Sequence, residues 1–103
     1  MAKQAQFTNK KILFKKNVDF PESPGVYKFF NSEHEIIYIG KAKNLKNRVK
    51  SYLNVRKAEG KRIAKLKYSI KYIETIITKT ESDALILEQG LISKKKTSIQ
   101  YSI

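Results

Sequence analysis

The sequence predicts a small α/β domain in which a three-stranded, mainly antiparallel sheet is flanked by helices. Two runs rich in aromatic and β-branched residues, 26–30 and 35–39, flank the polar stretch Asn31-Ser32-Glu33-His34, which is the pattern of a hairpin. Apolar residues then recur at helical spacing, and a third β-rich run, 71–78, leads into a last helical pattern. At 103 residues the chain has room for one core and little for a second.

Residues 1–19 form a lysine-rich arm, for which a short helix around 10–16 is expected. Pro21-Glu22-Ser23-Pro24-Gly25 is a rigid entry, because each proline fixes its own φ and biases its predecessor toward extended backbone. A strand should begin directly after it. Pairing Phe30 with Glu35 across a four-residue loop would put Tyr27 opposite Tyr38, both rings on one face. Gly40 is expected to end the second strand, and Asn44 to cap a helix over 45–53 whose buried stripe is Leu45, Val49, Tyr52 and Leu53. A second helix is expected over 56–69, with Ile63, Leu66 and Ile70 inward and Lys57, Lys61 and Lys65 outward. Thr80 with Asp83 three residues on resembles a capping box and should start the final helix, running to about residue 94.

Charge narrows the partner. Lys and Arg number 22 against 9 Asp and Glu, a formal net charge of +13. An excess of that size favours a polyanion, since its field concentrates phosphates and binding them releases counterions. Nucleic acid is the first candidate and an anionic membrane the second. The longest apolar runs, Ile36-Ile37-Tyr38-Ile39 and Ala84-Leu85-Ile86-Leu87, are far too short to span a bilayer. With no signal-peptide core in the first twenty residues, a cytoplasmic location is expected. The absence of cysteine and the single His34 exclude thiolate sites and any zinc site needing two imidazoles, so a metal would be held mainly by oxygen.

Glu88 is the anomalous residue, a carboxylate on the apolar stripe of the last helix between Ala84 and Leu91. An unpaired buried carboxylate costs several kcal/mol or takes up a proton. Either a salt bridge to a lysine or Arg48, or a bound cation, would resolve it. Arg48 is one of only three arginines and lies at the edge of its helix stripe, where bidentate phosphate recognition and simple solvation are both open. Lys43, Lys46 and Lys50, together with the row Lys57, Lys61 and Lys65, lie on the two helices next to the hairpin and are expected to contact phosphate backbone. His34, in the hairpin loop, is expected to be incidental.

Gly25-Val26-Tyr27, followed by Tyr38-Ile39-Gly40-Lys41, resembles the signature of the GIY-YIG nucleases, and the block from Tyr38 to Val49 is similar to the UvrC-type branch of that family. The resemblance covers about residues 20–96, with 97–103 as a divergent or truncated tail. It implies a nuclease domain that nicks one DNA strand with one Mg²⁺ or Mn²⁺ ion. In the repair branch it would make the incision on the 3′ side of a lesion, with UvrB as protein partner and the domain itself expected to be a monomer excised or truncated from a longer protein. It also implies Gly25 and Gly40 as structural motif positions, Glu88 as the metal ligand, Lys41 and Arg48 as phosphate contacts, and one motif tyrosine as general base with the other positioning the water. Tyr27 is favoured as the base and Tyr38 as the positioning phenol, with the order left open by the sequence. The family's proline and asparagine after the last helix are replaced here by Thr97 and Gln100. A non-catalytic nucleic-acid-binding module, and a stand-alone nuclease acting on branched or foreign DNA, are the alternatives.

Overall fold

The computed structural model describes residues 11–15, 18–54 and 61–95, with the side chains of 61–64 and 95 excepted. Along the chain come β1 (Ile12–Leu13), β2 (Gly25–Phe30), β3 (Ile36–Ala42), α1 (Leu45–Leu53), α2 (Lys61–Ser69), β4 (Tyr72–Ile77) and α3 (Glu81–Lys95). The four strands form one antiparallel sheet in the order β1-β4-β2-β3.

The sheet therefore has one strand more than the sequence predicts. Where a helix was expected in the arm, Ile12 and Leu13 pair with Ile73 and Tyr72, and the Phe14 N–H donates to the Lys71 carbonyl. The physical reason is the free edge of β4: its unpaired backbone groups offer hydrogen bonds that so short a helix could not match. Ile12 and Phe14 also pack against the main core.

β2 is central, its two edges paired with β3 and β4, and because helices pack on both faces of the sheet it reads as an almost continuous apolar run. Tyr27 and Phe29 point to one face, where α1 supplies Leu45, Val49, Tyr52 and Leu53, and Leu66 and Ile70 close the layer. Val26 points to the other, packing with Ile39 and with Ala84 of α3. Leu66 and Ile70 are buried and Lys65 is exposed as expected; the side chains of Lys61 and Ile63, and residues 55–60 with Lys57 and the predicted first turn, fall outside what the structure describes.

α1 spans the predicted residues. The Asn44 side chain accepts from the Asn47 N–H, and the N–H groups of Leu45 and Lys46 donate to the carbonyls of Ser23 and Pro21. The proline-rich entry thus lies across the start of α1 and satisfies donors that a helix leaves open. At α3, Thr80 accepts through its hydroxyl from the Asp83 N–H.

The hairpin departs from its expected register. Asn31 organises the loop, its side-chain Oδ1 accepting from the N–H groups of Glu33 and Glu35 while its backbone N–H donates to the Glu35 carbonyl, and His34 adopts a left-handed φ of 64°. The loop is one residue longer than expected, and an irregularity between Phe29 and Phe30 adds another. Tyr27 consequently faces Gly40, and Tyr38 faces Phe29. A slip of two residues keeps every side chain on its face, so both tyrosines still share one side. β3 also continues through Gly40 to Ala42 instead of ending at the glycine.

Gly25 sits where β2, β4 and α1 converge: a Cβ there would run into the Ile76 carbonyl oxygen and lie 2.7 Å from Leu45 Cδ1. Gly25→Ala should lower stability by about 2 kcal/mol or more, read as a lower denaturation midpoint at unchanged slope.

Candidate active site

Tyr27 and Gly40 are a cross-strand pair, and that pairing shapes the site. A Cβ on Gly40 would collide with the hydroxyl and ring of Tyr27 and lie 2.8 Å from the Tyr38 ring. The glycine is required because the Tyr27 ring lies across β3 at that position. Freed in this way, the Tyr27 hydroxyl reaches Tyr52 of α1, at 3.3 Å between the two oxygens. Tyr38 completes a triangle of phenols, its ring centroid 6.0 Å from Tyr27 and 6.5 Å from Tyr52. Tyr52 was read from the sequence only as part of the helix stripe. The available signal was its polar tip, since a tyrosine on an inward stripe needs a partner for its hydroxyl.

The three rings do not share one environment. Tyr27 is 2% exposed, and its phenol is pushed far above the ordinary value by burial first and then by Tyr52, with Arg48 acting in the opposite direction. Tyr38 is half-buried and pushed up to about 12, again mainly by burial, with Glu88 among the charges that raise it. Tyr38 is thus the more accessible phenol and the one electrostatically coupled to the acidic residue.

Lys41, next to Gly40, lies opposite Val26 on the sheet face against which α3 packs. Its ammonium is 3.4 Å from Glu81 in the first turn of α3. Glu88 projects from the packed side of the same helix and is half-buried. Its pKa is raised by burial, with Lys41 pulling it back down. Among the described residues no lysine or arginine lies within ion-pair distance of Glu88, so the salt bridge that would have explained it is not seen there. Arg48 is exposed on α1 and close enough to Tyr27 to act on its charge.

These positions suit a hard divalent cation held by few protein groups. No cluster of three or more His, Cys, Asp or Glu occurs among the described residues, so a cation at Glu88 would draw few of its ligands from such groups. One carboxylate completed by water and phosphate oxygens is an ordinary arrangement for magnesium. The remaining predicted lysines divide. Lys43, Lys50 and Lys65 are exposed, whereas Lys46 is half-buried and paired with Asp19 at 3.5 Å and Glu22 at 3.8 Å. His34 stacks on Tyr72 at the hairpin tip, 4.4 Å between centroids, away from the phenols. Thr97 and Gln100 lie outside the described residues.

Both Tyr27 and Tyr38 have folded pKa values raised above the ordinary 10.0. Their contribution to stability is complete below pH 10 and is lost as pH rises beyond it, because the unfolded chain then ionises while the buried phenols do not. The loss is about 1.4 kcal/mol per pH unit for each such group. In denaturation curves between pH 9.5 and 11.5, Tyr27→Phe should lose stability less steeply than the unaltered protein.

Comparison with known proteins agrees with this geometry. The family model of the UvrC-like GIY-YIG domain matches residues 23–102. The UvrABC system protein C of Chlorobium chlorochromatii is 49% identical over 88 residues, 84% of this chain, and that of Fusobacterium nucleatum is 50% identical over 86. In each case the chain spans 14% of the relative's length. Among solved structures, the GIY-YIG N-terminal endonuclease domain of UvrC from Thermotoga maritima, bound to its catalytic magnesium, aligns with a TM-score of 0.67 at 41% identity, covering 79% of this chain and 86% of that one. With the motif residues, the fold and these similarities in agreement, the chain belongs to the UvrC-like GIY-YIG domain family.

Proposed function

We propose that this chain is an endonuclease domain that hydrolyses a DNA phosphodiester and nicks one strand, using one Mg²⁺ or Mn²⁺ ion at Glu88. The observation that carries this reading is a half-buried Glu88, without an ion-pair partner among the described residues, that is electrostatically coupled both to Lys41 and to Tyr38 of the phenol triangle. Magnesium in the Thermotoga maritima domain supports the choice of ion. A divalent cation bound there would supply Lewis-acid polarisation of the phosphoryl oxygen and stabilise the leaving oxygen.

The chain's own groups do the rest. Lys41 and Arg48 hold the scissile phosphate from the β3 and α1 sides, with Arg48 suited to bidentate contact. Tyr38, the more accessible phenol and electrostatically coupled to Glu88, orients the attacking water and would accept its proton once a bound cation offsets the burial and the Glu88 charge that disfavour its phenolate. Tyr27, expected from the sequence to be the base, instead fits the floor of the site, where its buried hydroxyl and that of Tyr52 fix the position of Tyr38. Lys43, Lys50 and Lys65 extend the contact along the backbone.

On this reading the domain makes the 3′ incision of nucleotide excision repair, with UvrB as partner and in the cytoplasm; the name of its relatives, UvrABC system protein C, supports that assignment. Among the described residues no helix is long and apolar enough to cross a membrane. The nuclease unit is proposed to extend from β1 to about residue 96.

A plasmid-nicking assay with Mg²⁺ or Mn²⁺ tests the reading. Glu88→Gln should reduce nicking on the order of 100-fold or more while DNA binding persists. Binding without metal-dependent cleavage under any condition would instead identify a non-catalytic binding module. In binding measured against salt, Lys43→Ala and Lys50→Ala should each reduce the slope of log affinity by about 0.9, and Lys46→Ala by less because its acidic partners already engage it.

A further inference from the structure

Glu81 belongs to none of the motif positions, yet it makes the only ion pair of Lys41 among the described residues, Nζ to Oε2 at 3.4 Å. It stands seven residues before Glu88 on α3, so the two carboxylates leave the helix in nearly the same direction, about 10 Å apart along its axis. Lys41 reaches toward both from the sheet face beneath: it contacts Glu81 and acts electrostatically on Glu88. A lysine is a compact charge on a flexible stem, and either carboxylate could draw it.

We propose that Glu81 is a positioning residue that holds the Lys41 ammonium away from Glu88, so that the Glu88 carboxylate stays open to the divalent cation. This rests on Glu88 being the metal ligand. Without Glu81, Lys41 would turn to Glu88, and the cation would have to displace an internal ammonium before binding. With Glu81 in place, Lys41 still has further N–H donors for a substrate phosphate, since an ammonium carries three. A purely structural role for Glu81, favourable charge at the start of a helix, makes a different prediction: it would affect stability without depending on Lys41.

Mn²⁺ binding, followed by the electron paramagnetic resonance signal of the free ion, separates these accounts without reference to cleavage. Glu81→Gln should bind Mn²⁺ roughly 2- to 5-fold more weakly, the range expected from competition with a solvent-accessible ion pair. In the Lys41→Met background the same substitution should have a clearly smaller effect, because the competing ammonium is gone. No weakening, or equal weakening with and without Lys41, would overturn the proposal. Glu88→Gln is the reference: if the unaltered protein binds Mn²⁺ no better than Glu88→Gln, the metal assignment itself fails and the role of Glu81 falls with it.

Discussion

The close approach of β2 and β3 at the Tyr27–Gly40 pair is the constraint on which the site depends. A side chain on residue 40 would occupy the space of the Tyr27 ring, and displacing that ring would separate its hydroxyl from Tyr52. Because Tyr27 is also a fully enclosed member of the main core, with rings of Phe29, Tyr38 and Tyr52 around it, the geometry of the phenols is set by packing and not by loop conformation. Rigid placement of this kind suits a site that must hold reacting groups to within fractions of an ångström.

Charge is arranged around that apolar floor in two tiers. Glu88, Lys41 and Glu81 lie where α3 meets β3, and Arg48 comes from α1 near the phenols on the opposite sheet face. A phosphate approaching there would meet Lys41 and Arg48 from the two sides of the sheet. Outside the cleft, the exposed lysines supply the long-range field of a chain with formal charge +13. Lys46 differs from them in kind, since its bridges to Asp19 and Glu22 tie the entry segment to α1.

Local signals were legible where chemistry and position act within a few residues. Asn44 as a cap, the limits of α1, its buried stripe, and the Thr80 cap of α3 were all readable, because caps and helical periodicity are short-range properties. The hairpin register was not. It depends on how Asn31 folds the loop and on an irregularity near Phe30, and alternation of side chains is unchanged by a slip of two. β1 was likewise hidden, as a two-residue strand exists only because β4 presents an edge to it.

By itself, then, the sequence determined the class of the domain, the identity of most groups that could meet phosphate or metal, and the family they resemble, since residue types and short spacings encode these. The tertiary structure alone decided that Tyr52 joins Tyr27 and Tyr38, that Tyr27 is sealed in the core while Tyr38 stays accessible, and that Lys41 is engaged by Glu81 instead of Glu88. Each of these unites residues from different elements 11 to 40 positions apart. Proximity over such distances follows from the pairing of strands and the packing of helices, which no local pattern records.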